Sequence, residues 1–202
     1  MNQLREEFGN IDIYLFDQLL KGHYKNCKKI IDLGCGSGRN LVWFLKNGYE
    51  VCGIDQDAHA IDAVRDLATR LAPQLAFNNF RVGAIDQNIP FEYDSFDLVI
   101  CNAVLHFAEN QHHFDLMLHT AWELLKPDGH LFVRTASSIG IEHLIEPIGD
   151  GRYLLPDNSE RFLVDMNMLL AFKEKTNAIQ YEHIKTTNVQ NLRAMTTWCL
   201  QK

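Results

Sequence analysis

The run from Ile30 to Asn40, IIDLGCGSGRN, restricts the fold more tightly than any other stretch of the chain. Ile30, Ile31 and Leu33 read as a buried strand, and Gly34, Gly36 and Gly38 then force a tight turn. The apolar run Leu41 to Leu45 begins a helix that should end near Lys46. Glycines let a backbone approach a ligand without a Cβ in the way, and a helix N-terminus offers unpaired N–H groups. Strand, glycine turn and helix start together predict a socket for a nucleoside-like cofactor, with Asp32 as a further polar contact.

Apolar strand-like runs and helical patterns alternate along the rest of the chain, as a parallel sheet covered by helices requires. Residues 11–21 read as an N-terminal amphipathic helix. Strands are expected near 29–33, over 49–55 and 80–86, at Phe96 to Asn102, and at 130–136 after the turn KPDG. Helices are expected near 57–71, over the apolar spacing Phe114, Met117, Leu118, Ala121 and Leu125, and around Phe162, Met166 and Leu169. Two closing strands, 179–186 and 192–200, are joined by NVQN as a hairpin, which makes the last strand antiparallel. The expected fold is a Rossmann-like α/β open sheet of about seven strands, mostly parallel, with helices on both faces. A single domain covers 1–202, with residues 1–28 as an N-terminal helix and lid and the irregular stretch 137–158 as a lid loop. Long irregular segments in compact domains are usually functional.

With 202 residues, the chain is long enough to bury a full core. Its formal net charge of −7 disfavours a phosphate backbone as partner. The start MNQLREEFGN is unlike a signal peptide and no apolar run reaches membrane-span length, so the sequence predicts a cytoplasmic protein without a membrane contact. Cys27, Cys35, Cys52, Cys101 and Cys199 are isolated and read as reduced, buried thiols. The His112–His113 pair has no partners at metal-ligand spacing, so no metal is expected.

In doubly wound sheets, ligands bind beyond the carboxyl ends of the strands. Asp32, Asp55, Asp86 and Asn102 all fall at expected strand ends. Asp55 follows the glycine turn at the distance usual for a carboxylate that accepts from ribose hydroxyls. A dinucleotide wants G-x-G-x-x-G, whereas this chain has G-x-G-x-G followed by Arg39, which counts against NAD.

Taken together, these segments resemble the class I S-adenosylmethionine-dependent methyltransferases. DLGCGSG is similar to that family's first motif and GIDQD, at 53–57, to its second. GAIDQNIPF, at 83–91, resembles the adenine-binding segment, FDLVICNAVLHF the fourth-strand motif and LLKPDGHLFV the fifth. The resemblance implies S-adenosylmethionine as cofactor and S-adenosylhomocysteine as product. It implies that Gly34, Gly36 and Gly38, with Cys35 between them, line the methionine and ribose, and that Asp32 reaches the methionine amino group. Asp55 would take the ribose hydroxyls, Gln56 would lie against the adenine, and Asp86, with Gln87 adjacent, would accept from the adenine amine. Asn102 and Ala103 would contact the methionine end, and Arg39 its carboxylate. A looser similarity, through GSGRN, NGY and LRAMTTWCLQK, is to tellurite-resistance and thiopurine-type small-molecule methyltransferases.

The implied reaction is in-line methyl transfer to a small-molecule acceptor, where alignment and a dry pocket supply most of the rate. A base is needed only for an acceptor protonated at neutral pH. His106, after the fourth strand, is one candidate, and the looser similarity implies His183, within YEHIKTT, as a second near the acceptor. Tyr14, Phe107, Arg134, Arg152 and Tyr153 are candidates for the acceptor pocket, and His143 belongs to the lid stretch. Methylation of a protein or tRNA, or a non-catalytic binding scaffold, are the rival readings. Monomer and homodimer stay equally open.

Overall fold

The computed structural model describes residues 2–87 and 89–202; Asn88, inside the 83–91 motif, falls outside them. Helices α1 (Asn2–Phe8) and α2 (Ile13–Leu20) precede strand β1 (Lys29–Leu33), α3 (Val42–Lys46), β2 (Glu50–Asp55) and α4 (Ala58–Leu71). Then come β3 (Phe80–Val82), β4 (Phe96–Asn102), α5 (Gln111–Glu123) and β5 (Leu125–Ser137). The C-terminal part holds β6 (Glu146–Gly149), β7 (Arg152–Leu154), β8 (Glu160–Phe162), α6 (Met166–Thr176), β9 (Ile179–Gln180), β10 (Lys185–Val189) and β11 (Arg193–Gln201).

The main sheet runs β10-β11-β5-β4-β1-β2-β3, with β9 added alongside β11. β1 pairs in parallel with both β2 and β4, and β4 in parallel with β5. β11 is antiparallel to β5 and to β10, so the last strand is reversed as expected. It lies one place in from the edge, however, because β10 closes that side. The chain builds outward from β1 through β2 to β3 and then returns to add β4 on β1's other side. The strand order therefore reverses between the carboxyl ends of β1 and β4, where a crevice must open.

Alternation along each strand sends successive side chains to opposite faces. Ile31, Val99 and Val133 pack under α5 and α6, with Phe114, Met117, Leu169 and Phe172. Ile30, Ile100 and Phe132 pack under α2, α3 and α4, with Leu15, Phe44, Ile61 and Val64. By the same alternation Asp32, Asn102 and Arg134, each two residues beyond Ile30, Ile100 and Phe132, share the second face.

Several expectations need correction. The helix 11–21 is the shorter α2, N-capped by Asp12, whose carboxylate accepts the Tyr14 N–H, and α1 precedes it. The strand expected over 80–86 stops at Val82, so Asp86 sits in a turn. KPDG lies within β5, where Asp128 takes φ 65° and the pairing register with β4 shifts. The stretch 137–158 is not a bare loop: β6, β7 and β8 form a small antiparallel sheet, and Phe162 belongs to β8, stacked on Phe114. The strand 179–186 is broken between β9 and β10. Finally, α3 has only five residues and starts eight residues after Gly34, so a looping backbone, not a helix end, follows the glycine turn.

Candidate functional site

Two cavities adjoin at the crevice, and Ala103 lines both. The first, about 350 Å³, is bounded by Gly34, Ile54, Asp55, Gln56, Gly83, Ile85, Asp86, Val104, Phe107, His113 and Met117. Its walls are mostly apolar, with oxygen acceptors along one side. Asp55 closes β2, and its carboxylate accepts the Gly36 N–H at 2.8 Å and the Asp57 N–H at 3.0 Å. The carboxylate thereby ties the glycine turn to β2 and keeps its remaining lone pairs for a ligand. Asp86 is part-exposed and lies 3.4 Å from His113 Nε2. His113 is set in the first turn of α5 by Asn110, whose side chain accepts the His113 N–H.

Gly34 has φ 74°, and a Cβ there would stand 2.7 Å from Val104 Cγ2. Gly36 has φ 51°, and a Cβ would meet nothing within 4 Å, so its backbone faces open space. The cradle is therefore bare main chain closed on one side by Val104. Ala103 also has positive φ, 62°, unusual for a residue with a Cβ. Its N–H continues the ladder by donating to Arg134 O at 2.7 Å.

The second cavity, about 410 Å³, is lined by Asp12, Arg39, Asn102, His106, Arg134, Ala136, Leu155, Asp157, Ser159, Arg161, Val189, Arg193 and Met195. Arg134 is held by Asp12 at 3.0 Å and by the Tyr14 ring, 4.8 Å from its guanidinium. Tyr14 itself bonds Thr187 through its hydroxyl and stands behind Arg134, outside the lining. His106, 7% exposed, lies in the turn that follows β4. Burial, then the charges of Arg161 and Arg193, lower its pKa to about 4. Its Nδ1 accepts the Ala136 N–H, which points past the end of β4 and has no strand partner there. That bond assigns the proton to Nε2, so His106 is neutral and offers a donor, the wrong tautomer for a base.

Orphaned buried groups cluster between the cavities. Both oxygens of Asp32, 1% exposed, and both side-chain polar atoms of Asn102 have no partner among the described residues, and neither does Arg134 Nη1. Buried polar groups are almost always satisfied. Burial pushes the Asp32 pKa well up, against the pull of Arg39 and of the nearby Asn40 amide. One buried carboxylate, one buried guanidinium nitrogen and one amide on the same sheet face suit a zwitterion with an ammonium and a carboxylate. The acceptors of the first cavity suit a nucleoside with hydroxyls and an amine.

Of the sequence candidates, Gly34, Asp55, Gln56, Asp86, Ala103 and Phe107 line the first cavity, and Arg39, Asn102, Ala103, His106 and Arg134 the second. Asp32 lies between the cavities and Gly36 in the glycine cradle, and the rest stand elsewhere. His183 is exposed and lines neither cavity, and Gln87 is likewise exposed and outside. Cys35 turns its buried thiol towards Gly53 and Phe80, and burial pushes its pKa up, so its side chain packs. Gly38 packs on Val64 and Leu67. Arg152 pairs with Glu160 on the small sheet, Tyr153 packs with Ala136, Leu155 and Leu163, and His143 is exposed. The lining residues that sequence reasoning missed include Asp12, Val104, Asp157, Ser159 and Arg161. Each is ordinary in its local sequence and reaches the crevice only through tertiary packing.

A methyltransferase-domain family model matches residues 31–133. A ubiquinone biosynthesis O-methyltransferase of Glaesserella parasuis is 28% identical over 152 residues, 70% of this chain but 61% of that protein. The chain thus spans about three-fifths of the length of that relative. A 1,6-didemethyltoxoflavin-N1-methyltransferase of Burkholderia thailandensis, crystallised with 1,6-didemethyltoxoflavin and S-adenosylhomocysteine, superposes with TM-score 0.71 at 16% identity. That match covers 100% of this chain and 81% of the other. An S-adenosylmethionine-dependent methyltransferase of Methanosarcina mazei gives TM-score 0.70 at 19% identity, covering 91% and 96%.

Proposed function

The chain belongs to the methyltransferase-domain family, and from that premise we propose that it transfers a methyl group from S-adenosylmethionine to a small-molecule acceptor. The observation that carries the reading is the orphaned set Asp32, Asn102 and Arg134 between two adjoining cavities. Asp32 holds the ammonium of the amino-acid end, and Arg134, with Arg39 beside it, holds the carboxylate. Asp55 accepts from the ribose hydroxyls, and Gln56 and Asp86 face the adenine. The cofactor supplies a methyl group on a sulfonium, already activated for in-line displacement.

The chain's own part is alignment and exclusion of water, and for such a reaction proximity can contribute several powers of ten. Ala103, at the seam, fixes where the two cavities meet. The β6–β8 sheet contributes Leu155, Asp157, Ser159 and Arg161 to the acceptor side, and the Asp12–Arg134 pair ties the N-terminal segment over it. These two segments are the lid in this reading. The acceptor meets His106 Nε2–H, a neutral donor that orients an oxygen without removing a proton. A cavity of about 410 Å³ matches a small molecule better than a protein or tRNA segment. Among the described residues no helix is long and apolar enough to cross a membrane. Five free, buried cysteines support a cytoplasmic location.

Calorimetric titration with S-adenosylmethionine, S-adenosylhomocysteine and NAD tests the reading. Micromolar binding of the first two and none of NAD is expected, with Asp55→Ala weaker by at least about tenfold, the usual loss for charged hydrogen bonds. Binding of NAD alone, or of none of the three, refutes it.

A further inference from the structure

The second cavity is strongly basic in an acidic protein. Four of the chain's nine arginines line it, in a molecule of net charge −7. Only two carboxylates, Asp12 and Asp157, stand among them. Asp12 is committed to Arg134 at 3.0 Å, and Asp157 lies 3.7 Å from Arg193. Burial opposes ionisation of Asp157, but the Ser159 hydroxyl and N–H, with Arg193 and Arg161, outweigh it and lower its pKa. Two positive charges remain uncompensated.

The four arginines divide by position. Arg134 lies on β5 on the face shared with Asp32 and Asn102, and Arg39 follows the glycine turn, so both belong to the amino-acid end of the cofactor. Arg161, on β8, and Arg193, at the start of β11, form a separate wall with His106: theirs are the charges that act on its imidazole. Arg161 has no carboxylate within 4.0 Å among the described residues. Its guanidinium is preset instead, donating to Glu160 O at 2.7 Å and stacking 5.1 Å over the Phe107 ring. A guanidinium with an oriented fork and no counter-ion, facing a cavity, is built for an external oxyanion. Leu155, Val189, Met195 and Ala136 supply the apolar remainder of the wall.

We infer that the methyl acceptor is a monoanionic small molecule, a carboxylate with an apolar body, whose carboxylate is bound by Arg161 together with Arg193. The inference rests on the methyltransferase reading and specifies its acceptor. Charge sets the class. The carboxylate of the cofactor takes one of the two surplus positive charges, and a carboxylate on the acceptor takes the other. With S-adenosylhomocysteine bound, whose thioether is uncharged, a phosphate monoester with close to two negative charges at neutral pH exceeds what remains. His106 Nε2–H adds a donor on the same side and, being neutral, does not compete for the anion.

The test is calorimetry on the protein saturated with S-adenosylhomocysteine. The probes are benzoate, phenylacetate and hexanoate, each beside its amide, and phenyl phosphate. At least one carboxylate should bind tenfold or more above its amide and above phenyl phosphate. Arg161→Gln should remove that preference, Arg161→Lys should keep part of it, and both should bind S-adenosylhomocysteine as the parent does. If the parent binds S-adenosylhomocysteine but treats acids and amides alike, binds no carboxylate, or prefers the phosphate, the inference is overturned and the cofactor reading stands. If Arg161→Gln keeps the full preference, the assignment to Arg161 is wrong. Failure to bind S-adenosylhomocysteine refutes the parent reading, and the inference falls with it.

Discussion

Replacing Asp32 by Asn should stabilise the free protein while damaging cofactor binding. Asp32 is 1% exposed, and neither carboxylate oxygen has a partner among the described residues. Burial raises its pKa well above the ordinary carboxylate value, with Arg39 and the nearby Asn40 amide only partly offsetting this. An unsatisfied buried group costs about 1–3 kcal/mol, and a charged one more. The folded state holds this proton more tightly than the unfolded chain does. The associated stability is therefore fully present below the unfolded carboxylate pKa of about 3.9 and is lost as pH rises towards the raised folded value. An asparagine amide is neutral throughout and loses nothing. The two proteins should unfold together near pH 4, with the Asp32→Asn variant increasingly the more stable as pH rises. Near pH 8 the gap of about 1–3 kcal/mol corresponds to roughly 2–12 °C in Tm for a domain of this size. Binding should move the other way. Loss of a charge-assisted bond to the ammonium, about 1.5–3 kcal/mol, weakens S-adenosylmethionine by about 10- to 100-fold. Binding to the parent should also release protons, seen as a dependence of the heat on buffer ionisation. Thermal unfolding from pH 4 to 8, with calorimetry on both proteins, decides the matter. A Tm gap that does not widen with pH, or an affinity that survives the substitution, refutes the argument.

Two further outcomes follow from local geometry. Gly34→Ala places a methyl 2.7 Å from Val104 Cγ2 at φ 74°; strain of about 1–2 kcal/mol and overpacking of about 1–3 kcal/mol should both appear in urea unfolding. Adding Val104→Ala should recover only the overpacking part, and a double variant no more stable than Gly34→Ala would refute the contact. His106, with its pKa lowered to about 4, contributes stability that is fully present above pH 6.5 and lost as pH falls through about 4. That window is on the order of 3 kcal/mol at 1.36 kcal/mol per unit, so His106→Asn should unfold less steeply in acid, and equal slopes would show the imidazole is not held neutral.

Whatever depends on local pattern was legible in the order of residues. Residues 29–33 and 96–102 were legible as strands because short, largely apolar runs bounded by turns allow little else. The positions of Asp55 and Asn102 at the ends of β2 and β4 were legible because strand ends at a switch point are fixed by the order of elements. Local pattern misled where pairing decides: β3 stops at Val82 because only three residues find partners on β2, and 146–162 became a sheet through contacts that no turn residue announces. It misled also at His183, which lies exposed in the break between β9 and β10, and at His106, whose tautomer is set by a main-chain N–H thirty residues away. Arg134 was a candidate from its strand, but tertiary structure alone brought Asp12, Arg161 and Arg193 to the same cavity. The four come from separate parts of the chain, and neither Arg161 nor Arg193 stands out in its own segment. Charge at a site is a sum over groups that folding makes neighbours, and no window of sequence contains that sum.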